Sequence, residues 1–253
     1  MGITESIHKD IWVTRVVLDD YDVRGALLLG DRHALVWDTL SRPRDMQAFV
    51  PFLPDRELVI VYSHADWDHI WGTGGLPYRG ARIIAHARTR DRFATDVPQV
   101  LAEKQAAEPQ RWDSVELVAP TESFDVTRGV ALGGMTLELH HLPGHTADCI
   151  VGFIPEHGVL LAGDTVETPC PVVPPDSPLT EWIARLQRWA DNPHVRTVVP
   201  AHGPIGGREL LAENIAYLKS IVNRAPIEPR GPLTDFYRET HRQNLRWSNP
   251  VVQ

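Results

Sequence analysis

Four side chains able to bind a metal ion fall within six positions of one short segment, Ser63-His64-Ala65-Asp66-Trp67-Asp68-His69. Imidazole mixed with carboxylate suits zinc, iron or manganese, whereas calcium takes oxygen donors. In an extended chain these side chains would point alternately to opposite sides and could not converge. A loop running from a strand into a helix lets them converge, with Asp68-His69 opening the turn that follows. Three later loops supply more of the same donors: Pro143-Gly144-His145-Thr146, Gly163-Asp164-Thr165 and Ala201-His202-Gly203. Each follows an expected strand. A lone histidine after a strand is usually structural, but three such loops with suitable residues, in this order, point to a metal centre on strand-end loops.

The elements that must position these loops can be read from periodicity. Apolar runs at Ile11–Leu18, Gly25–Leu29 and Ala34–Trp37 predict strands, with a hairpin turn at Gly30-Asp31. Pro43 and Asp45 start a predicted short helix ending at Phe52. The β-branched run Glu57–Tyr62 predicts a buried strand leading straight into the His64 segment. A strand at Arg82–Ala85 and a helical stretch within Thr89–Glu108 follow. Further strands are expected at Val130–Leu132, Thr136–His141, Cys149–Ile154, Val159–Ala162 and Thr197–Val199. Leu179, Trp182, Ile183, Leu186 and Trp189 form one apolar helical stripe, and Leu211, Ile215, Leu218 and Val222 form another. Strands first, then strands mixed with helices, suit two sheets with helices on both outer faces. One domain is expected over residues 1–223, with residues 224–253 as a C-terminal extension, because Pro226, Pro229 and Pro232 break the pattern.

Taken together, these residues resemble the metallo-β-lactamase superfamily, whose signature is His-x-His-x-Asp-His followed by a later His, Asp and His. The resemblance spans roughly Trp12 to Val222. It implies an α/β fold, the αββα four-layer sandwich, with metals in a cleft at one edge of the sheets. By the same resemblance, His64, Asp66 and His145 bind a first metal, and Asp68, His69 and His202 bind a second. Asp164 bridges the two, and Asp68 is the ligand also given a catalytic role. Asp38, in Val36-Trp37-Asp38-Thr39, matches an early aspartate that buttresses the ligand loop without binding metal. Asp66 departs from the pattern, since most relatives have histidine there, although glutamate occurs in the di-iron flavoprotein branch. Three carboxylate ligands and one bridging hydroxide would neutralise two divalent ions, where histidine at position 66 would leave a positive charge. Asp66 therefore predicts a weaker Lewis acid and a drift toward harder metals. Zinc is the expected metal, with iron or manganese as alternatives.

The resemblance implies a hydrolase in which a hydroxide held between two metals attacks a small ester, thioester, lactone or phosphoester. No Gly-x-Ser-x-Gly elbow suggests a serine nucleophile instead. Two other readings stay open. One is an iron-dependent redox or oxygen-handling member of the fold, favoured by Asp66 but not by any flavin or electron-transfer module. The other is a non-catalytic metal-binding relative, which the complete ligand set opposes. A formal charge of −8 without a run of Lys or Arg argues against a nucleic-acid partner and for a small-molecule substrate. No apolar run approaches the ~20 residues of a membrane span. No secretory leader is read in Met1–Val13, and Cys149 and Cys170 read as reduced thiols, so a cytoplasmic protein is expected. A homodimer is left open. Trp67, Ile70 and Trp71 are candidates for an apolar rim of the site, and the proline-rich loop Glu167–Pro178 for one wall. Cys170 is expected to be a passive thiol, and neither His140 nor His141 is assigned to catalysis.

Overall fold

Runs of β-branched and aliphatic residues bounded by glycine, proline and aspartate make most of the strands, and the strand ends carry the polar loops. The structure, a computed structural model, describes residues 3–248 and separates into two units. The first comprises Met1–Val17 and Val23–Leu137; the second comprises Leu18–Asp22 and Glu138–Gln253.

In the first unit a seven-stranded sheet runs in chain order. Its strands are β1 (Ile3–His8), β2 (Ile11–Leu18), β3 (Tyr21–Leu29), β4 (His33–Trp37), β5 (Glu57–Val61), β6 (Arg82–His86) and β7 (Glu122–Phe124). β3 and β4 are antiparallel, whereas β4 through β7 pair in parallel. Parallel strands are covered on both faces, which is why β5 reads as an unbroken apolar run with Val59, Ile60 and Val61 all buried. The one-turn helix α1 (Trp67–Ile70) follows the metal-type loop, and α2 (Ala87–Phe93), α3 (Asp96–Ala107) and the short α4 (Pro109–Trp112) come after β6. The helix expected between Pro43 and Phe52 is instead two separate 3₁₀ turns, Pro43–Met46 and Val50–Phe52. Pro51 supplies no N–H and so cannot return a helical hydrogen bond to the turn at residues 47–49 that separates the two segments.

A second sheet has the order β12-β11-β10-β9-β8, from β8 (Thr127–Ala131), β9 (Thr136–His141), β10 (Ile150–Ile154), β11 (Val159–Glu167) and β12 (Thr197–His202). Within the second unit, α5 (Leu179–Asp191) and α6 (Glu209–Asn223) bury the two predicted stripes. Trp182 and Leu186 of α5, with Leu211, Ile215 and Leu218 of α6, pack in one core with Leu160, Val166 and Val198 of the strands. Burying each such side chain contributes about 1.5–3 kcal/mol. The last helix, α7 (Asp235–Ser248), adds Tyr237 to that core. Among the described residues, no helix is long and apolar enough to cross a membrane.

Candidate metal centre

The predicted donors occur as two sets, one in each unit. In the first unit β5 delivers the chain into the loop, and Asp66, extended at φ −72° and ψ 149°, forms the N-cap of α1. His69 N–H bonds back to the Asp66 carbonyl at 3.0 Å, which curls the loop so that Asp68 and His69 enter the helix turn. His64, Asp68 and His69 are buried. His64 Nε2 lies 3.6 Å from Asp66 Oδ2, and His69 Nε2 lies 3.7 Å from Asp68 Oδ1.

Asp38 holds this loop from behind. It is fully buried with φ +56°, a left-handed conformation that aspartate tolerates better than most residues. Its Oδ1 accepts the Ser63 N–H at 2.7 Å, and its Oδ2 accepts the Ser63 hydroxyl at 2.7 Å and His69 Nδ1–H at 2.9 Å. A serine hydroxyl carries one proton, and here it points to Asp38. The 3.0 Å contact between Ser63 Oγ and His64 Nδ1 therefore has the imidazole as donor.

In the second unit a register shift in the β11–β12 pairing, where Gly163 takes φ +52°, re-aims the strand and presents Asp164. Asp164 Oδ2 lies 3.8 Å from His145 Nε2 and 3.2 Å from His202 Nε2, so a single oxygen serves both imidazoles, as a bridging ligand would. The His145 loop rests on Trp182. A Cβ at Gly144 would lie 2.5 Å from the indole, so only glycine allows this approach. Trp182 Nε1–H donates to the Thr165 carbonyl at 3.0 Å, tying α5 to the strand that carries Asp164. His145 Nδ1–H donates to the Val172 carbonyl at 3.1 Å, and His202 Nδ1–H donates to the Asp22 carbonyl at 2.5 Å.

In all four histidines Nδ1 is engaged by an outer partner, so Nε2 is the nitrogen left facing the carboxylates; for His202 that nitrogen is within hydrogen-bond distance of Asp164. Metal bonds of about 2.1 Å in tetrahedral geometry give ligand–ligand edges of about 3.4 Å. The four Nε2–carboxylate separations, 3.2 to 3.8 Å, bracket that edge. The donors fit a divalent metal, and each of the seven predicted ligands belongs to a side-chain group able to hold one.

Several partners in these sets carry no signal in the sequence. Val172 and Asp22 act through backbone carbonyls, which any residue could supply. Arg92 of α2 places Nη1 2.8 Å from Asp66 Oδ1 and also grips Asp96, with Nη2 2.7 Å from Asp96 Oδ2. The charge count made from the ligands alone omits this guanidinium. Arg92 returns one positive charge beside the aspartate that replaces histidine, and it engages one Asp66 oxygen while the other faces His64. Burial acts to raise the Asp96 pKa, but the Arg92 hydrogen bonds outweigh it and hold the carboxyl below its usual range.

Of the three candidates for an apolar rim, Trp67 is half-buried, whereas Ile70 and Trp71 are buried. Lys104 Nζ caps the Trp67 ring at 4.1 Å from its centre. A cleft of about 170 Å³ is lined by Asp66, Trp67, Arg92, Val97 and Val100. His141 Nε2 bonds to the Ala147 carbonyl, and His140 packs edge-on against Trp189. Both cysteines are free thiols, and burial raises both, Cys170 to about 12, so neither is an activated thiolate. Burial likewise raises the Glu167 carboxyl.

A model of the metallo-beta-lactamase superfamily matches residues 23–208. The metallo-beta-lactamase type 2 of Bacteroides fragilis is 28% identical over 210 residues, covering 79% of this chain and 75% of that protein. Among solved structures, a metallo-beta-lactamase from Pontibacter korlensis aligns with a TM-score of 0.70 at 21% identity, covering 87% of this chain and 99% of that one. The metallo-beta-lactamase FIM-1 of Pseudomonas aeruginosa, in its mono-zinc form, aligns with a TM-score of 0.67 at 18% identity, covering 87% and 95%. The expected α/β fold class is the one these structures share.

Proposed function

This chain belongs to the metallo-β-lactamase superfamily, and from that membership we propose that it is a metal-dependent hydrolase of a small-molecule substrate. The observation that carries the reading is the shared orientation of His64, His69, His145 and His202, each with Nδ1 on an outer partner and Nε2 toward a carboxylate. Four buried imidazoles with Nδ1 held and Nε2 beside carboxylates are ligands in waiting, since a merely structural histidine has no need to reserve the same nitrogen. Both donor sets would serve one centre of two divalent ions, in the pairing the superfamily motif implies: His64, Asp66 and His145; Asp68, His69 and His202; Asp164 shared. Zinc suits nitrogen and oxygen donors without thiolates, with manganese and iron as alternatives. Such ions, when bound, supply Lewis acidity and a water made nucleophilic near neutral pH.

The chain's own residues do the positioning. Asp38 and Ser63 fix the ring planes of His69 and His64. Asp68, buried beside His69, would supply the carboxylate that takes up a proton. Arg92 keeps a positive charge next to Asp66, which removes the main reason to expect a weaker Lewis acid there. The cleft beside Asp66 admits a group of a few heavy atoms along Trp67, Val97 and Val100, in keeping with a small ester, thioester, lactone or phosphoester. The curated relative is a β-lactamase, so a β-lactam belongs in the same panel. The test is metal analysis of the purified protein, then hydrolysis of that panel with zinc, manganese or iron restored. Cleavage of one class, lost on chelation and restored by metal, is the expected result. Full activity in metal-free protein, or no cleavage of any class with both ions bound, overturns the proposal.

A further inference from the structure

Residues 168–178 join β11, which ends at Glu167, to α5 without regular structure, and the prolines at 169, 171, 174, 175 and 178 remove backbone donors. Proline limits how such a loop bends but does not fix where it lies. Its position matters, because the Val172 carbonyl is the group that holds His145 Nδ1–H.

What fixes the loop comes from α7, beyond the residues that the family model matches. Tyr237 Oη donates to Glu167 Oε1 at 2.9 Å, and Glu167 Oε2 accepts the Val172 N–H at 2.9 Å. Asn244, 1% exposed, takes the flanking peptides: its Oδ1 accepts the Val173 N–H at 3.1 Å, and its Nδ2 donates to the Pro171 carbonyl at 2.7 Å. The same amide donates to Tyr217 Oη, and that hydroxyl also meets His241 Nδ1 of α7 at 2.8 Å. The Val172 peptide is thus gripped on both sides, and the line Tyr237–Glu167–Val172–His145 is continuous through three buried or part-buried hydrogen bonds.

We infer that α7 is a positioning element for the metal ligand His145, acting through Glu167 and the Val172 carbonyl. Tyr237 and Asn244 would then set how firmly His145 keeps the orientation its ligand role requires. The inference rests on the hydrolase reading only for the claim that His145 binds metal; the orientation of the imidazole can be tested without it.

The experiment uses the full chain with Tyr237→Phe, which removes one hydroxyl and keeps the ring, and separately Asn244→Ala. In metal-free protein, long-range ¹H–¹⁵N NMR should report His145 protonated at Nδ1 in the parent and a mixture of tautomers in Tyr237→Phe. In cobalt-loaded protein, release to excess chelator should be about 3–10-fold faster for Tyr237→Phe and about 10–100-fold faster for Asn244→Ala, with an altered visible cobalt spectrum. A general loss of stability would lower the melting temperature of both variants without moving the tautomer or the spectrum. An unchanged tautomer and unchanged release in a folded Tyr237→Phe protein overturn the inference. If Asn244→Ala does not fold, Tyr237→Phe decides alone. A parent protein that binds no cobalt overturns the hydrolase reading, and the NMR comparison then still decides whether α7 orients His145.

Discussion

The two donor sets are held by different means. In the first unit four donors sit within one short loop, and side chains hold them: Asp38 and Ser63 behind the histidines, Arg92 on Asp66. In the second unit the donors lie far apart in the chain, His145 on the loop after β9, Asp164 within β11 and His202 at the end of β12, and backbone carbonyls of Val172 and Asp22 hold the histidines. A side-chain buttress is encoded at one position and can be lost by one substitution. A carbonyl buttress is encoded by wherever the chain must run to place that peptide, so its determinants lie elsewhere.

Substitutions can break or sharpen this contrast. The largest effect is expected at Asp164, whose one oxygen faces both imidazoles of its unit. Asp164→Ala should reduce metal binding by more than about 100-fold, beyond the range typical of outer partners, and abolish hydrolysis. Isothermal titration with zinc reads the loss. Asp38→Ala should come next. It strips the acceptor from a buried N–H, a hydroxyl and an imidazole, so metal affinity should fall about 10–100-fold, with a cost in stability of about 2–3 kcal/mol. A denaturant melt beside the titration separates the two effects.

Arg92→Gln should act in the opposite direction. Removing a cation held against a ligand carboxylate in partly solvated surroundings should tighten first-site binding by about 3–10-fold. Weaker binding would show that the orientation of Asp66 outweighs its charge. The smallest effect is expected for Val172→Ala, less than about 2-fold on metal affinity, because the carbonyl survives the loss of the side chain. A large effect there would erase the distinction between the two kinds of buttress.

The same contrast explains what the sequence could reveal. The donors were legible because the strands that lead into them, β5, β9, β11 and β12, show as apolar runs, although β11 and β12 continue through Asp164 and His202 where loops were expected. Asp38 was legible only through the resemblance, which places an early aspartate at that strand end. Arg92 was not, since one arginine in a polar helix looks like any solvated residue, and its link to Asp66 spans a turn, a strand and a helix start. Val172 and Asp22 could not be read at all, because a carbonyl leaves no mark on residue identity. Pro43 and Asp45 are start signals that serve a 3₁₀ turn as well as an α-helix, so the sequence does not distinguish the two turns here from one helix.

The contact between Arg92 and Asp66 has an evolutionary consequence. Replacing Asp66 with histidine, the residue the superfamily motif has at this position, would bring a guanidinium against an imidazole that would itself hold a cation. The common residue would then be the harmful one in this background, while Arg92→Gln in the same molecule would relieve it. The two positions form an epistatic pair, and a double-mutant cycle on metal affinity should show strong non-additivity. A lineage could pass between the two states most easily by giving up the arginine first.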